Sequence, residues 1–399
     1  PGRTSPGSEL SQSDLSQDEV PAQALVLGLV LIGFGFSGFA ALGYELAWTR
    51  VVRVAFSMVS HYEFSLVLAA FLVGLALGSF LCSRLLQRHI DALSWFGGAQ
   101  ILLGVLGVLS LPVLGSLPAM VDQLRGMGTW WAYRGGVFAV SFTVMLGPTL
   151  LMGAVFPLVG RIYIRHLGRV GQGMGMIGGV NSLGAALGAF FTGFVLIPTI
   201  GTESSVKALA AINTLIGLAV FVAHPTMGLR RKALLTSGAL AVVVMMMLAP
   251  SDVLRQISEP SDPDRRLVFY AEGAEGVITV EKGDGGLREM MLNGGGQVPT
   301  DYSSMQLVRL LGHLPLLLHP DPQDVLVVSL GGGIALGAVA QHELPRVTCV
   351  ELVPQVVTAA REHFGPFNHD VLQAPHRPGV EIVIDDGRNY LLANASEYD

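Results

Sequence analysis

Val325-Leu-Val-Val-Ser-Leu-Gly-Gly-Gly-Ile334, followed about twenty residues on by Val350-Glu351, decides how the second half of this chain folds. An apolar run that breaks into three glycines reads as a buried strand whose end lets a ligand approach bare backbone where a helix opens. An acidic residue closing the next strand can accept hydrogen bonds from both hydroxyls of a ribose. The pattern continues downstream. Strand 324–330 leads to a helix at 334–342, and strand 346–352 to a helix over about 354–364. Strand 380–384 ends in Asp385-Asp386-Gly387 before a further helix. Sheets of this βαβ kind bind ligands at the carboxyl ends of their strands. Gly331, Gly332, Gly333, Glu351, Asp386 and Gly387 all fall there, so they are the candidate nucleoside-binding residues. Glu351 would hold the ribose, and Asp386 would accept from an exocyclic adenine amine, with Gly387 keeping the wall low. Helix capping is the competing role for Asp385 and Asp386, since both precede a helix.

Working back from that sheet, 267–270, 276–281 and 287–292 alternate like strands, with turns at Gly283-Asp-Gly-Gly286 and Asn293-Gly294. A small antiparallel sheet is expected over 267–300. Leu307, Leu310, Leu311 and Leu314 then recur at helical spacing and predict a core-facing helix over 302–318.

Before Pro250 the chemistry is different. The chain of 399 residues is 51% hydrophobic and only 14% charged, with mean hydropathy +0.55, and the apolar excess lies in the first 250 residues. A bilayer core needs about 20 apolar residues per helix. Runs at 24–44, 64–83, 97–121, 136–160, 173–199, 205–224 and 233–249 meet this, giving about seven spans, the fifth long enough to contain a break. The expected organisation is a disordered tail (1–22), a transmembrane bundle (23–250), a linker (251–266), the small sheet (267–300) and a nucleoside-binding domain (301–399). A multi-pass protein of a cell (inner) membrane is expected, with the lipid bilayer as a partner. No Met or basic stretch precedes the first apolar run, so a signal peptide is not visible and the start reads as that of a fragment.

Gly74-xxx-Gly78 and Gly184-xxx-Gly188 read as helix-packing surfaces. Pro148 and Pro157 predict a kink or hinge in the fourth span. Glu45 and Asn181 are the polar candidates inside the spans, either as a transport or ligand site or as structural groups. In the structural reading Glu45 pairs with Arg50, while Asn181 and Asn213 bridge helices. Arg84, Arg88, Arg161, Arg165, Arg169, Arg230, Arg231 and Lys232 share alternate loops. Arg50, Arg53, Arg125, Arg134 and Lys207 lie in the others. Excess positive charge marks the cytoplasmic side, which places the N-terminus inside and, after seven spans, the C-terminal domain outside. A last run that does not cross, or a miscounted span, would reverse this. The net charge of -6 and the lack of a basic stripe argue against a nucleic-acid partner. Cys82 and Cys349 are expected to be buried free thiols, and no metal site is expected.

With these residues on the page, the chain resembles the spermidine synthase (polyamine aminopropyltransferase) family. It is most similar to members fused to a membrane bundle akin to half of a major facilitator superfamily transporter. The resemblance is carried by Ser37-Gly-Phe-Ala-Ala-Leu-Gly-Tyr-Glu-Leu-Ala-Trp-Thr-Arg50, Phe71-Leu-Val-Gly-Leu-Ala-Leu-Gly-Ser79 and Asn181-Ser-Leu-Gly-Ala-Ala-Leu-Gly188. Leu292-Asn-Gly294, His313-Leu-Pro315, Gly331-Gly-Gly333 and Asp386-Gly-Arg388 add to it. It implies a Rossmann-type, methyltransferase-like domain. It also implies transfer of an aminopropyl group from decarboxylated S-adenosylmethionine to a small-molecule amine such as putrescine. S-adenosylmethionine with another acceptor, or a transporter or sensor whose domain only binds ligand, are the alternatives, and a homo-oligomer is allowed. By position the resemblance makes Asp301 and Gln306 candidates for amine binding. The departures are Ile334 in place of the amine-binding aspartate, Met305-Gln306 in place of a Tyr-His pair, Gly276 in place of a glutamine and Val353 in place of an aspartate. The family's general-base aspartate would fall just past Asp399, so the nucleotide fold is expected to be incomplete in this chain.

Overall fold

The computed structural model describes residues 19–56, 61–88, 90–126, 129–164, 170–249, 252–373, 379–394 and 398. The expected tail lies almost wholly outside these, as do Arg165 and Arg169, and the side chains of His61, Glu63 and Arg125 are not described.

The apolar runs form long helices: α1 (Glu19–Ala55), α2 (His61–Leu85), α3 (Ala92–Gly115), a short α4 (Leu117–Arg125), α5 (Trp130–Tyr163) and α6 (Val170–Phe191). A π-helical turn at Thr192–Leu196 leads to α7 (Ile197–Ile200), then α8 (Thr202–Ala223) and α9 (Leu229–Leu248). Their limits have local causes. The Asp91 side chain caps α3 and Thr129 caps α5. Gly201, at φ 81°, turns the chain between α7 and α8. The break expected in the fifth run is the π-helical turn, and the third run is interrupted at Ser116. Among the described residues six helical stretches are long and apolar enough to cross a bilayer. The helix α9, with Arg230, Arg231 and Lys232 in its first turn, is not one of them.

Glycine sets the helix contacts, as the paired-glycine spacing predicts. A Cβ on Gly74 would strike the Thr149 side chain, and one on Gly78 the Leu150 backbone, so α2 lies directly on α5. Gly184 and Gly188 meet the backbone of Gly35 and Phe39 in the same way, seating α6 on α1. In lipid, where apolar surface gains nothing from burial, such close backbone approach is what favours association. A few buried polar contacts pin the rest: Trp48 Nε1 donates to Ser110 Oγ at 2.9 Å and Gln100 Nε2 to Ser37 Oγ at 2.9 Å.

The bundle has two distinct ends. At one, His224 meets Asp91 at 2.9 Å, Arg161 bonds the Leu86 carbonyl, and Lys232 Nζ bonds the Val222 carbonyl at 2.7 Å. At the other, Lys207 Nζ bonds the Ala249 carbonyl at 2.7 Å. These two lysine contacts lay α9 antiparallel along α8 from end to end. Residues 251–266, expected as a linker, instead contain α10 (Val253–Ile257). Its Val253, Leu254 and Ile257 are buried, and the Leu254 N–H donates to Glu203 at 2.6 Å. The three apolar residues have a bundle surface to cover, so the segment docks rather than spans.

The small sheet is a four-stranded antiparallel meander: β1 (Arg266–Glu272), β2 (Val277–Lys282), β3 (Arg288–Leu292) and β4 (Gly295–Pro299). Asn293 and Gly294 both hold positive φ, 52° and 77°, as a two-residue hairpin turn requires. Helix α11 (Tyr302–Leu318) follows. Its leucine stripe does not face the core: Leu307, Leu310, Leu311 and Leu314 are 45–64% exposed, while Met305, Gly312 and Leu316 are buried. Gly312 explains the reversal. A Cβ there would lie 2.6 Å from the Ala335 carbonyl oxygen, so the helix turns its narrow side inward to lie against the next one.

The parallel sheet has the order β5-β6-β7, with β5 (Asp324–Val328), β6 (Arg346–Glu351) and β7 (Val380–Ile384). Helices α12 (Ile334–Val339), α13 (Pro354–His363), α14 (Gly365–Asn368) and α15 (Gly387–Asn394) accompany it. Leu336, Val339, Cys349, Ala360 and Phe364 centre its core. Both cysteines are buried and free. Burial, with a smaller contribution from the Glu351 carboxylate, pushes the Cys349 thiol up to about 12, which makes it unreactive.

Candidate functional site

After β5 the chain reverses sharply. Ser329 takes φ 72°, a costly conformation for a residue with a Cβ, and Gly331 and Gly333 take 53° and 75°. Gly332 is bare for a different reason: a Cβ would lie 2.8 Å from the Phe364 ring. Asn368 supports the turn from behind, its Nδ2 donating to the Gly332 carbonyl at 3.0 Å. Asn368 is buried, and its Oδ1 has no hydrogen-bond partner among the described residues.

Glu351, at the end of β6, points back under this turn. One carboxylate oxygen accepts the Leu330 N–H at 2.7 Å and the other the Val353 N–H at 2.9 Å, and the residue is only 6% exposed. Each oxygen keeps a second lone pair. The carboxylate therefore fixes the start of the glycine turn and can still accept from a ligand. At the end of β7, Asp386 caps α15 through the Asn389 N–H at 2.9 Å, and Asp385 accepts the Asp386 N–H at 2.7 Å. A Cβ on Gly387 would reach Val328 at 2.5 Å, so the low wall expected there lies against the end of β5. Three strand ends thus bring the glycine turn, Glu351 and Asp386-Gly387 together, as the sequence predicts. The capping role expected of the aspartate pair falls to Asp386.

Asp301 and Gln306 are placed elsewhere. Asp301 caps α11, accepting from Ser303 N at 3.1 Å, Ser303 Oγ at 2.6 Å and Ser304 N at 3.1 Å. It lines a cleft of about 280 Å³ with Arg265, Glu281, Arg288 and Glu289, which shares no residue with the glycine turn. Gln306 is exposed and donates to the Tyr302 hydroxyl at 2.7 Å. The hydrogen bonds from Ser303 and Ser304 hold the Asp301 carboxyl down to about 2. The folded value lies below the unfolded one. The cap therefore contributes above the ordinary aspartate range and is lost as pH falls through about 2. Asp301→Ala is expected to speed hydrogen exchange at the first turn of α11, and the wild type to show the same fraying only in strong acid.

Glu45 is half-buried and makes no ion pair or hydrogen bond among the described residues. The expected Glu45–Arg50 pair does not form. Arg50 Nη2 instead bonds the Gly273 carbonyl at 2.5 Å and the Ala274 carbonyl at 2.9 Å, and Nη1 lies 3.9 Å from Glu272. Asn181 contacts Gly38, where a Cβ would lie 2.6 Å from its oxygens, but it makes no hydrogen bond to another helix among the described residues. Asn213 is buried in α8, and neither its Oδ1 nor the Tyr44 hydroxyl has a hydrogen-bond partner among the described residues, so no hydrogen-bonded bridge between helices forms there.

Ser329, Asn368 and the Arg50–Glu272 junction are the contributors that sequence reasoning does not find. Gln355, at the start of α13, is another: its Nε2 lies 3.4 Å from the Glu272 carbonyl, and a Cβ on Gly273 would meet its amide at 2.7 Å. Only Asn368 had a sequence signal, a polar residue inside an otherwise apolar Phe364-Gly-Pro-Phe-Asn368 run.

A glycine turn followed by acidic groups at the next two strand ends is the pattern by which α/β sheets offer a ligand crevice. Residues 305–399 match the spermine/spermidine synthase domain model. Over 378 residues the chain is 26% identical to a polyamine aminopropyltransferase of Corynebacterium efficiens, covering 92% of this chain and 67% of the relative. Over 342 residues it is 27% identical to polyamine aminopropyltransferase 2 of Streptomyces coelicolor, covering 81% and 58%. Among solved structures, spermidine synthase from Thermotoga maritima matches 32% of this chain and 43% of its own length, at 24% identity and a TM-score of 0.29.

Proposed function

We propose that the chain is a membrane-anchored, polyamine aminopropyltransferase-like protein whose soluble domain binds decarboxylated S-adenosylmethionine as its substrate. The observation that carries this reading is the meeting of Gly331–Gly333, Glu351 and Asp386-Gly387 at three adjoining strand ends, inside the segment matched by the synthase domain model. Glu351 would take the ribose hydroxyls and Asp386 the adenine amine. The bare glycine backbone would face the sulfonium-bearing arm, from which the aminopropyl group leaves. Transfer joins the acceptor nitrogen to the propyl carbon, breaks the carbon–sulfur bond and releases methylthioadenosine and a proton. The proton needs a positioned base, and that role is assigned to no residue of this chain. The long apolar helices support the membrane reading.

A second reading is favoured by Ile334. It stands where the resemblance expects the amine-binding acid, and it is 1% exposed, turned into the core. That suits an S-adenosyl-ligand methyltransferase with another acceptor.

Calorimetry of the detergent-solubilised chain with methylthioadenosine tests the cradle, and lack of binding would sink both readings. Putrescine then separates them. Tighter methylthioadenosine binding in its presence is expected for an aminopropyltransferase, and indifference to it favours the methyltransferase.

A further inference from the structure

Where the bundle meets the small sheet lies a cavity of about 140 Å³, lined by neither the glycine turn nor Glu351 or Asp386. Leu46, Phe64 and Ile197 form its apolar wall, Arg50 and Arg53 its basic wall, and Glu275 stands at its rim. The Arg50 side chain is nine-tenths buried, yet its Nη1 has no hydrogen-bond partner among the described residues. Arg53, one turn further along α1, is half-buried and makes no ion pair or hydrogen bond among them. Arg50 Nη1 lies 3.9 Å from the Glu272 carboxylate, beyond hydrogen-bond reach, so both guanidinium groups keep unfilled donors that an anion in the cavity would complete.

The shape of the wall says more about that anion. Leu46 and Phe64 are 37% and 43% exposed, so the cavity runs out onto the apolar outer surface of the bundle. Gly193, in the π-helical turn, also lines it, and π-turns recur at ligand sites because they open a helix wall. The exposed Glu275 carboxylate would repel a second negative charge, which favours a singly charged phosphodiester over a doubly charged phosphate.

We propose that this cavity binds the headgroup phosphate of an anionic phospholipid, held by Arg50 and Arg53, with its acyl chain along Leu46 and Phe64. The site rests on the membrane-spanning reading. It does not depend on what the cradle binds, because the test uses no nucleoside or amine.

The test is native mass spectrometry of the full chain, purified in detergent and exposed to equal amounts of phosphatidylglycerol and phosphatidylcholine. Preferential retention of phosphatidylglycerol by about tenfold or more is expected, the scale of a charge-assisted hydrogen bond. Arg53→Gln should abolish the preference and Arg53→Lys should keep part of it. An equal preference in Arg53→Gln, or none in the wild type, would overturn the site. So would displacement of the bound lipid by soluble glycerophosphoglycerol at the same concentration, which would make the ligand a free anion. If Arg53→Gln does not fold, the wild-type and Arg53→Lys arms still decide. Recovery of the chain from cells without detergent would instead remove the membrane reading.

Discussion

Arg50→Ala is expected to release the soluble domain from the bundle. Arg50 ties the end of α1 both to the Glu272 carboxylate and to the β1–β2 turn carbonyls. Truncating one member of a buried ion pair costs about 3–5 kcal/mol, because the partner charge is left without compensation. Glu272 keeps the Thr202 N–H at 2.9 Å, the Thr202 hydroxyl and the Tyr270 hydroxyl at 2.9 Å. Three remaining donors hold the cost to the lower end, about 3 kcal/mol. The expected result is faster proteolytic cleavage in the exposed 259–266 segment, with the secondary structure intact. Glu272→Gln, which keeps acceptor capacity for those donors, should release the domain less. Cleavage at the wild-type rate in Arg50→Ala would show that α10 and the strand contacts suffice without the arginine.

Glu351→Ala is the second large effect. It leaves the Leu330 and Val353 N–H groups buried without an acceptor, each costing about 1–3 kcal/mol. Against a domain stability of about 5–15 kcal/mol, the sum threatens the fold itself, so lost binding in this variant alone would prove little. Glu351→Gln separates the roles. Its amide oxygen can keep one of the two backbone bonds, while its NH₂ cannot accept from a ribose hydroxyl. The variant is expected to unfold at lower urea but to remain folded in buffer, and to lose methylthioadenosine binding by calorimetry. Wild-type affinity in Glu351→Gln would reduce the carboxylate to a structural brace.

The parallel strands, and the placement of glycine and acid at their ends, are legible because the strands are almost wholly apolar and stop at glycine or acid. Such runs have few alternatives to a sheet covered on both faces. The leucines of α11 face outward for a physical reason. Helical period says which residues share a face, but Gly312 decides which face another helix can reach. The Glu45–Arg50 expectation failed on distance along the chain: local spacing favoured a carboxylate five residues away, and the structure uses one 222 residues later. The bracing role of Glu351 has no sequence signal for the same reason, since the Leu330 N–H it accepts is set by the turn rather than by any pattern around Glu351.

The antiparallel course of α9 beside α8 has a topographic meaning. A polypeptide that enters the bundle at the Asp91–His224 end and emerges beside Lys207 has made an odd number of passes. If α9 crosses a bilayer together with the six longer apolar stretches, the amino terminus and the proposed nucleoside cradle would lie in opposite compartments. Arg84, Arg88, Arg161, Arg230, Arg231 and Lys232 all crowd the entry end, which is the bias that holds a terminus in the cytoplasm. Alkaline phosphatase joined after Asp399 should therefore be active in intact cells, and green fluorescent protein at the same place dark. The reverse pattern would mean that α9 lies along α8 without threading the bilayer. If the first pattern holds, whatever nucleoside the glycines cradle must be exported before it can be used.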